Sequence, residues 1–442
     1  MINLKRGSGG RWCPVLLFLG FMLILFSRRQ AQWSSPQVWS EDGVLVLAGF
    51  FKHGWLSLLE PVNGYLITVP KLVSKLSLSL SALYYPIVST VLSCTFAALV
   101  CLAIVLAPTR LRGRLACAIA VLAVPSDPEV FALPLYPFWW ASLLLFLLVL
   151  WREEASGLAW RLLFLLLGGL SSPVILLVLP LLYVRAVLYR RHPAEWILAL
   201  AATVISALQV YYMVAGSAGG MPPLPSLLQF TLPVFFGNYL LGSFVHIIPA
   251  TAGQGHGLLS LWLASAVVLA LLAGWLWQAR RDTVAWTLLF LLAGAVALSV
   301  ARVDPALLQP GLVGPRYFYF PFIVTSWIGV QFFCISSEAR FRTLLVLLAL
   351  LVLANAGMVW SRGHDDLRWS EQLRSCRMFP VYSIPVHTTG DRAHAWSLQL
   401  PGAACQQVLQ ADLLAAPRRW TGRPTFPLYG GDRSAGFARD AT

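Results

Sequence analysis

Long apolar runs alternate with short polar or basic connections through most of the chain. The runs at about 12–27, 82–107, 115–125, 138–151, 158–170, 173–188, 195–214, 257–278, 284–301, 318–335 and 343–360 are each predicted to form a membrane-spanning helix. A helix of about 20 apolar residues covers the roughly 30 Å of bilayer hydrocarbon, and backbone in lipid has to satisfy its own hydrogen bonds. Several runs fall short of that length; they fit helices that break or re-enter where protein rather than lipid surrounds them. The pattern therefore predicts an all-α polytopic membrane protein of about 11 transmembrane helices. Three longer pieces lie between or after the runs: a first loop at 28–81, a Gly/Pro-rich loop at 215–256 and a tail from 361.

Composition agrees. Of 442 residues, 58% are hydrophobic and 11% charged, and mean hydropathy is +0.73, against roughly 25% charged in soluble domains. The net charge of +14 does not point to nucleic acid, because the basic residues cluster in the connections between apolar runs. With the N-terminus inside, the inner segments hold Lys5, Arg6, Arg11, Arg110, Arg112, Arg114, Arg152, Arg161, Arg185, Arg190, Arg191, Arg280, Arg281, Arg340 and Arg342. The stretches near 125–137, 171–172 and 215–256 contain no Lys or Arg, and that asymmetry sets orientation. Eleven crossings then leave the C-terminus outside, with the first loop and the Gly/Pro-rich loop. The first apolar run follows Lys5, Arg6 and Arg11 as a signal peptide would, but no small-x-small site follows it, so it reads as an uncleaved signal-anchor.

The first loop places Glu41 and Asp42 directly ahead of GVLVLAGFFKHGWLSLL, a stretch expected to lie as an interfacial helix with Trp39 and Trp55 as anchors. Lys71 and Lys75 follow, against the positive-inside trend. Two readings of the acid pair stand side by side. A carboxylate can take a proton from a hydroxyl while a nearby cation neutralises a departing phosphate. Alternatively, Ser40 caps the helix and the acids sit in its first turn at the positive end of the dipole. In PSDPEVFALPLYPFWW, Asp127 and Glu129 precede an aromatic cluster, as functional acids or as a polar turn. Arg316, beside Tyr317, has a fork suited to two phosphate oxygens, or it snorkels to headgroups. GLSSP at 169–173 reads as a tight packing turn with Pro173 at a helix start.

His246 and His256 read as polar interface residues. His364, Asp365 and Asp366 read as a solvated helix exit rather than a metal site, since chain neighbours seldom converge on one ion. In the tail, a disulfide between Cys376 and Cys405 is expected, and alternation around VYSIPV and AWSLQL predicts β structure. The expected units are a polytopic domain at 1–360, a small extracytoplasmic appendage at 361–411 and a disordered tail at 412–442. No Walker motif, GxSxG elbow or HExxH is present, which leaves an ATP-driven pump or a familiar serine hydrolase unsupported.

The patches WSEDGVLVLAGFFKHGWLSLLEPVNGYLITVPKL, PSDPEV before aromatics, GLSSP and GPRYFYFP, spread over residues 33–325, resemble bacterial polytopic proteins similar to the GT-C superfamily of glycosyltransferases. The resemblance implies an enzyme of the bacterial inner (cytoplasmic) membrane that moves a sugar, with inversion, from a polyprenyl-phosphate donor to an envelope glycan, lipid or protein acceptor on the outer face. It implies Asp42, with Glu41 beside it, as the catalytic base. It implies basic and aromatic residues at the donor phosphate, for which Lys71, Arg302 and Arg316 are candidates by position. Asp127, Glu129 and Tyr317 complete the substrate-binding candidates. No cofactor is required by this chemistry, and an isolated acid pair serves a scheme with a divalent metal or without one. The competing readings are a flippase or transporter of a lipid-linked saccharide, and a non-enzymatic assembly factor for envelope polysaccharide.

Overall fold

The computed structural model describes residues 12–153, 157–215, 272–302, 314–358, 366–387 and 396–414, with isolated positions between them. The loop at 216–256 with His246 and His256, most of the predicted run at 257–278, Asp365 and residues 415–442 lie outside the described residues.

The described chain is mostly helical. In order it runs through α1 (Trp12–Arg28), α2 (Gln30–Ser34), α3 (Ala48–His53), α4 (Thr68–Leu80), α5 (Tyr85–Leu106), α6 (Arg114–Ala123), α7 (Pro137–Val149), α8 (Leu158–Gly169), α9 (Val174–Leu188) and α10 (Pro193–Ala215). It continues with α11 (Thr283–Arg302), α12 (Tyr319–Ile335) and α13 (Ala339–Met358), then α14 (Trp369–Cys376), strands β1 (Val381–Pro385) and β2 (Ser397–Pro401), and α15 (Gly402–Gln410). Apart from 257–278, every predicted apolar run coincides with one of these helices. Among the described residues, three helical segments are long and apolar enough to cross a membrane: Tyr85–Leu106, Pro193–Ala215 and Arg316–Ile335. The shorter α7 is buried continuously from Trp139 to Val149 and packs on α5, α8 and α9. Protein surrounds it on every side, so its length is not set by lipid.

Contacts sort the helix ends into two groups. At one end, Arg28 reaches Ser126, Thr68 bonds Leu170, and Trp360 bonds Ser27. At the other, Arg110 bonds Leu150 through its backbone, Arg112 bonds Gln331, and Arg185 donates to the carbonyls of Val149 and Trp151. Arg161 and Arg185, expected to act as orientation markers, are buried here against one carboxylate, Glu195, at 2.7 and 3.0 Å. Their charge is spent on packing helices α8, α9 and α10 together.

The C-terminal unit is a disulfide-tied hairpin. Antiparallel β1 and β2 pair from Val381↔Pro401 to Pro385↔Ser397, and a disulfide joins Cys376 of α14 to Cys405 of α15, with Cα atoms 6.0 Å apart. It is not a free appendage. Leu373, Ile384, Leu398 and Leu400 share one core with Val38, Leu47, Ala82 and Tyr85 of the first loop and α5. Two features expected to be solvated or disordered are instead docked. Asp366 accepts from the Gln37 side chain at 2.9 Å and His364 bonds the Ser35 carbonyl at 2.6 Å, so the segment after α13 packs on the first loop rather than leaving it. Asp412, placed by the sequence at the start of a disordered tail, is 1% exposed; its carboxylate accepts from Ser81 Oγ and Leu83 N, both at 2.8 Å. The described chain runs to Leu414, and Asp412 serves these donors in the turn just ahead of α5.

Asp412→Ala should leave those buried donors unmatched and lower stability by about 1–3 kcal/mol. The check is thermal unfolding of the detergent-solubilised protein, in which Asp412→Ala melts below the natural chain.

Candidate active site

Residues 40–53 form one helical run interrupted by a π-turn at Asp42–Leu47, which passes into α3. Such one-turn π insertions re-aim neighbouring side chains and recur at functional sites. Ser40 does not cap this helix. Its backbone N–H and its hydroxyl both donate to the His387 carbonyl, at 2.8 and 3.0 Å, and His387 N–H donates back to the Val38 carbonyl at 2.9 Å. The first loop is thereby stitched to the C-terminal hairpin one residue before the acid pair. Trp39, expected as an interfacial anchor, is 4% exposed; its indole donates to Gln32 and its ring lies 4.3 Å from His387 and 4.6 Å below the Arg29 guanidinium. Trp55 is 47% exposed and does stand at the surface.

The pair itself divides. Asp42 is 2% exposed and lies beside the Leu135 backbone N–H, and its Oδ1 has no hydrogen-bond partner among the described residues. Burial first, then the charges of Glu41 and Glu129, push the Asp42 carboxyl well above the usual carboxylate range, with the nearby Leu135 N–H opposing them. Glu41 is half-buried and has no ion pair among the described residues.

The second acidic segment arrives at the same place. Asp127 accepts from Glu129 N at 3.0 Å and so caps the 3-10 turn Pro128–Phe131, which is the polar-turn reading for that residue. Glu129, 2% exposed, is instead an ion-pair partner: Arg316 Nη1 lies 3.1 Å from its Oε2, Tyr136 Oη donates to the same oxygen at 3.0 Å, and Arg316 also donates to Tyr136 at 2.9 Å and to Tyr317 Oη at 3.3 Å. Burial, reinforced by the Glu129 charge, raises the Tyr136 phenol well above its ordinary value, so it stays a donor. Arg316 comes from the 3-10 turn Gly314–Phe318 that leads into α12, 187 residues along the chain from Glu129.

Arg28, at the end of α1, holds this second segment from below. It donates to the Ser126 carbonyl at 3.1 Å and its guanidinium lies 3.7 Å over the Phe131 ring and 4.5 Å over Trp360. Arg28 and Tyr136 were not among the expected site residues. The signal for Arg28 was available: a basic pair, Arg28 and Arg29, directly after the first apolar run and on the side where cations are depleted.

Not every expected residue converges. Lys71 is buried in α4 with its Nζ bonded to the carbonyls of Ser57 at 2.5 Å and Glu60 at 2.7 Å, where it closes the end of the preceding 3-10 turn Gly54–Leu59. Burial lowers its ammonium to about 8. These two carbonyls hold its ammonium, and no hydrogen bond or ion pair joins it to Glu41 or Asp42 among the described residues. Lys75 lies 5.3 Å from both the Phe50 and Trp55 rings. Arg302 ends α11, and its side chain lies outside the described residues.

An apolar cavity of about 590 Å³ lies between α6, α12, α13 and helical residues 272–279, and none of the candidate acids lines it. Its walls include Ile119, Trp275, Phe322, Phe333 and Leu345, and it extends from Gly113 to Pro125, two residues before Asp127. Among the described residues, no three His, Cys, Asp or Glu side chains group as metal ligands. Compared with models of known families, with characterised proteins and with solved structures, the chain matches none.

Two stability measurements follow from the geometry. Arg316→Met should leave Glu129 charged, buried and unpaired, at a cost of about 3–5 kcal/mol, and Glu129→Gln in the same chain should recover most of it; thermal melts of the single and double variants read the coupling. For Asp42, a carboxyl with a raised folded pKa holds its proton more tightly folded than unfolded, so its contribution is fullest below the ordinary carboxylate range and is lost as pH rises through the raised value. The neutral isostere Asp42→Asn should therefore melt progressively higher than the natural protein as pH goes from about 4 to about 8.

Proposed function

We propose that the protein is a membrane glycosyltransferase of the GT-C kind, which moves a sugar from a polyprenyl-phosphate donor to an envelope glycan, lipid or protein acceptor. The observation that carries this reading is the convergence of the Glu41–Asp42 pair with the Arg316–Glu129–Tyr136 cluster from chain segments far apart in sequence. In this reading the chain crosses a bacterial inner membrane about 11 times, N-terminus inside, and the acid cluster faces outward.

The chemistry asks for an acid and a cation on either side of one anomeric carbon. A carboxylate of the Glu41–Asp42 pair takes the proton of the acceptor hydroxyl as its oxygen bonds the anomeric carbon. The bond from that carbon to the phosphate oxygen breaks, and its electron pair leaves on polyprenyl phosphate. Arg316 supplies the positive charge for that leaving group. Glu129 and Tyr136 fix the guanidinium in place, so it needs no reorganisation as charge develops. The apolar cavity supports a donor with a long hydrocarbon chain, since its walls are apolar and one of them, Pro125, belongs to the loop that carries Asp127 and Glu129. No nucleotide and no covalent sugar–enzyme intermediate enters the scheme.

The test is the cell-envelope glycan profile, by mass spectrometry, of a deletion strain carrying either the natural protein or the double variant Glu41→Gln/Asp42→Asn at matched membrane levels. The natural protein should restore a sugar mass that the double variant cannot. Full restoration by the double variant would overturn the transferase reading and leave transport or assembly of a lipid-linked saccharide.

A further inference from the structure

The four acids at this site are not equivalent, and their surroundings assign them different work. Asp127 is committed to the Glu129 backbone N–H. Glu129 has its charge matched by Arg316 and a second hydrogen bond from Tyr136. Asp42 is almost fully enclosed beside the Leu135 N–H, with no hydrogen bond to its Oδ1 and no cation paired with it among the described residues. Glu41 alone is partly open to its surroundings and has no ion pair among the described residues. Successive residues on a helical turn diverge by about 100°, so two acids side by side in sequence face different environments.

We propose that Glu41 is the proton acceptor of the transfer reaction and that Asp42 is a positioning residue, which fills the enclosed space beneath the π-turn and so aims Glu41. This assignment rests on the transferase reading and goes beyond it, because the resemblance to the superfamily puts the base at Asp42. Two carboxylates this close cannot both be ionised cheaply. The groups facing Asp42 are Glu41, Glu129 and the Tyr85 phenol, together with the Leu135 N–H. None of these is a cation, and burial favours its neutral form. In the transfer step the acceptor O–H gives its proton to the Glu41 carboxylate while the new C–O bond forms and the phosphate departs with the electron pair. Glu41 afterwards releases that proton to water. Asp42 exchanges no proton in the cycle.

The experiment follows the rate at which the restored sugar mass reappears after induction in the deletion strain, for Glu41→Gln, Glu41→Asp, Asp42→Asn and Asp42→Ala, each at matched membrane level and with its melting temperature recorded. Loss of a general base should cost about 10²–10⁴-fold. Glu41→Gln should fall by at least about a hundredfold with its melting temperature unchanged, and Glu41→Asp should regain part of the rate. Asp42→Asn keeps the shape of the neutral side chain in its enclosed space, so its loss should stay within about tenfold, a fraction of the general-base effect. Asp42→Ala empties that space and should fall below Asp42→Asn in both rate and melting temperature. The proposal is overturned if Asp42→Asn falls as far as Glu41→Gln, or if Glu41→Gln keeps its rate. If Glu41→Gln keeps its rate, a double variant that also keeps it shows that the transferase reading has failed as well, while a double variant that transfers nothing leaves that reading standing with the roles reassigned.

Discussion

The arrangement depends on one buried ion pair. Arg316 and Glu129 stand 187 residues apart in the chain, in the turns that precede α12 and α7, and each would be costly to bury alone. Together, with Tyr136 donating to the same carboxylate oxygen, they lock the second acidic segment to the start of α12. Arg28 secures that segment from the other side through carbonyl bonds and aromatic faces. Once it is fixed, Leu135 and Glu129 lie beside Asp42, and the first loop has a docking point.

The second constraint comes from the C-terminal hairpin. Its His387 carbonyl takes both donors of Ser40, and Val386 packs against Gly43, where a Cβ would lie only 2.6 Å from a Val386 methyl. The π-turn that carries the acids is therefore clamped between a hairpin tied by a disulfide and a bundle tied by an ion pair. A site held from both sides suits chemistry that needs a base placed within a fraction of an ångström.

The apolar helices were legible in the sequence because burial in protein and burial in lipid both demand continuous apolar runs, and their bounds agree with the observed α5, α9 and α12 to within a few residues. The β-hairpin was legible from alternation at 381–386 and 396–400. What escaped was long-range pairing. Nothing local distinguishes Lys71, which closes a 3-10 turn, from Arg316, which meets an acid; both are cations in stretches the apolar pattern leaves between helices, and only the fold decides which one finds a carboxylate. Trp39 likewise looked like an interfacial anchor because Trp favours that depth, yet the hairpin covers it. Arg161 and Arg185 carried the pattern of orientation markers while serving Glu195. Asp412 sat next to a Gly/Arg/Pro-rich end and took its character from that neighbourhood, when its partners lay 330 residues earlier in Ser81 and Leu83.

The most direct measurement uses the purified protein in vesicles that contain lipid-linked sugars extracted from the deletion strain, with envelope fragments from that strain as acceptor. Mass spectrometry then follows the lipid and the fragments together. Sugar transfer at the acid cluster predicts that one lipid-linked sugar is converted to free polyprenyl phosphate as the same sugar mass appears on the acceptor. Lipid-linked sugars that remain intact, with the acceptor unchanged, would contradict it.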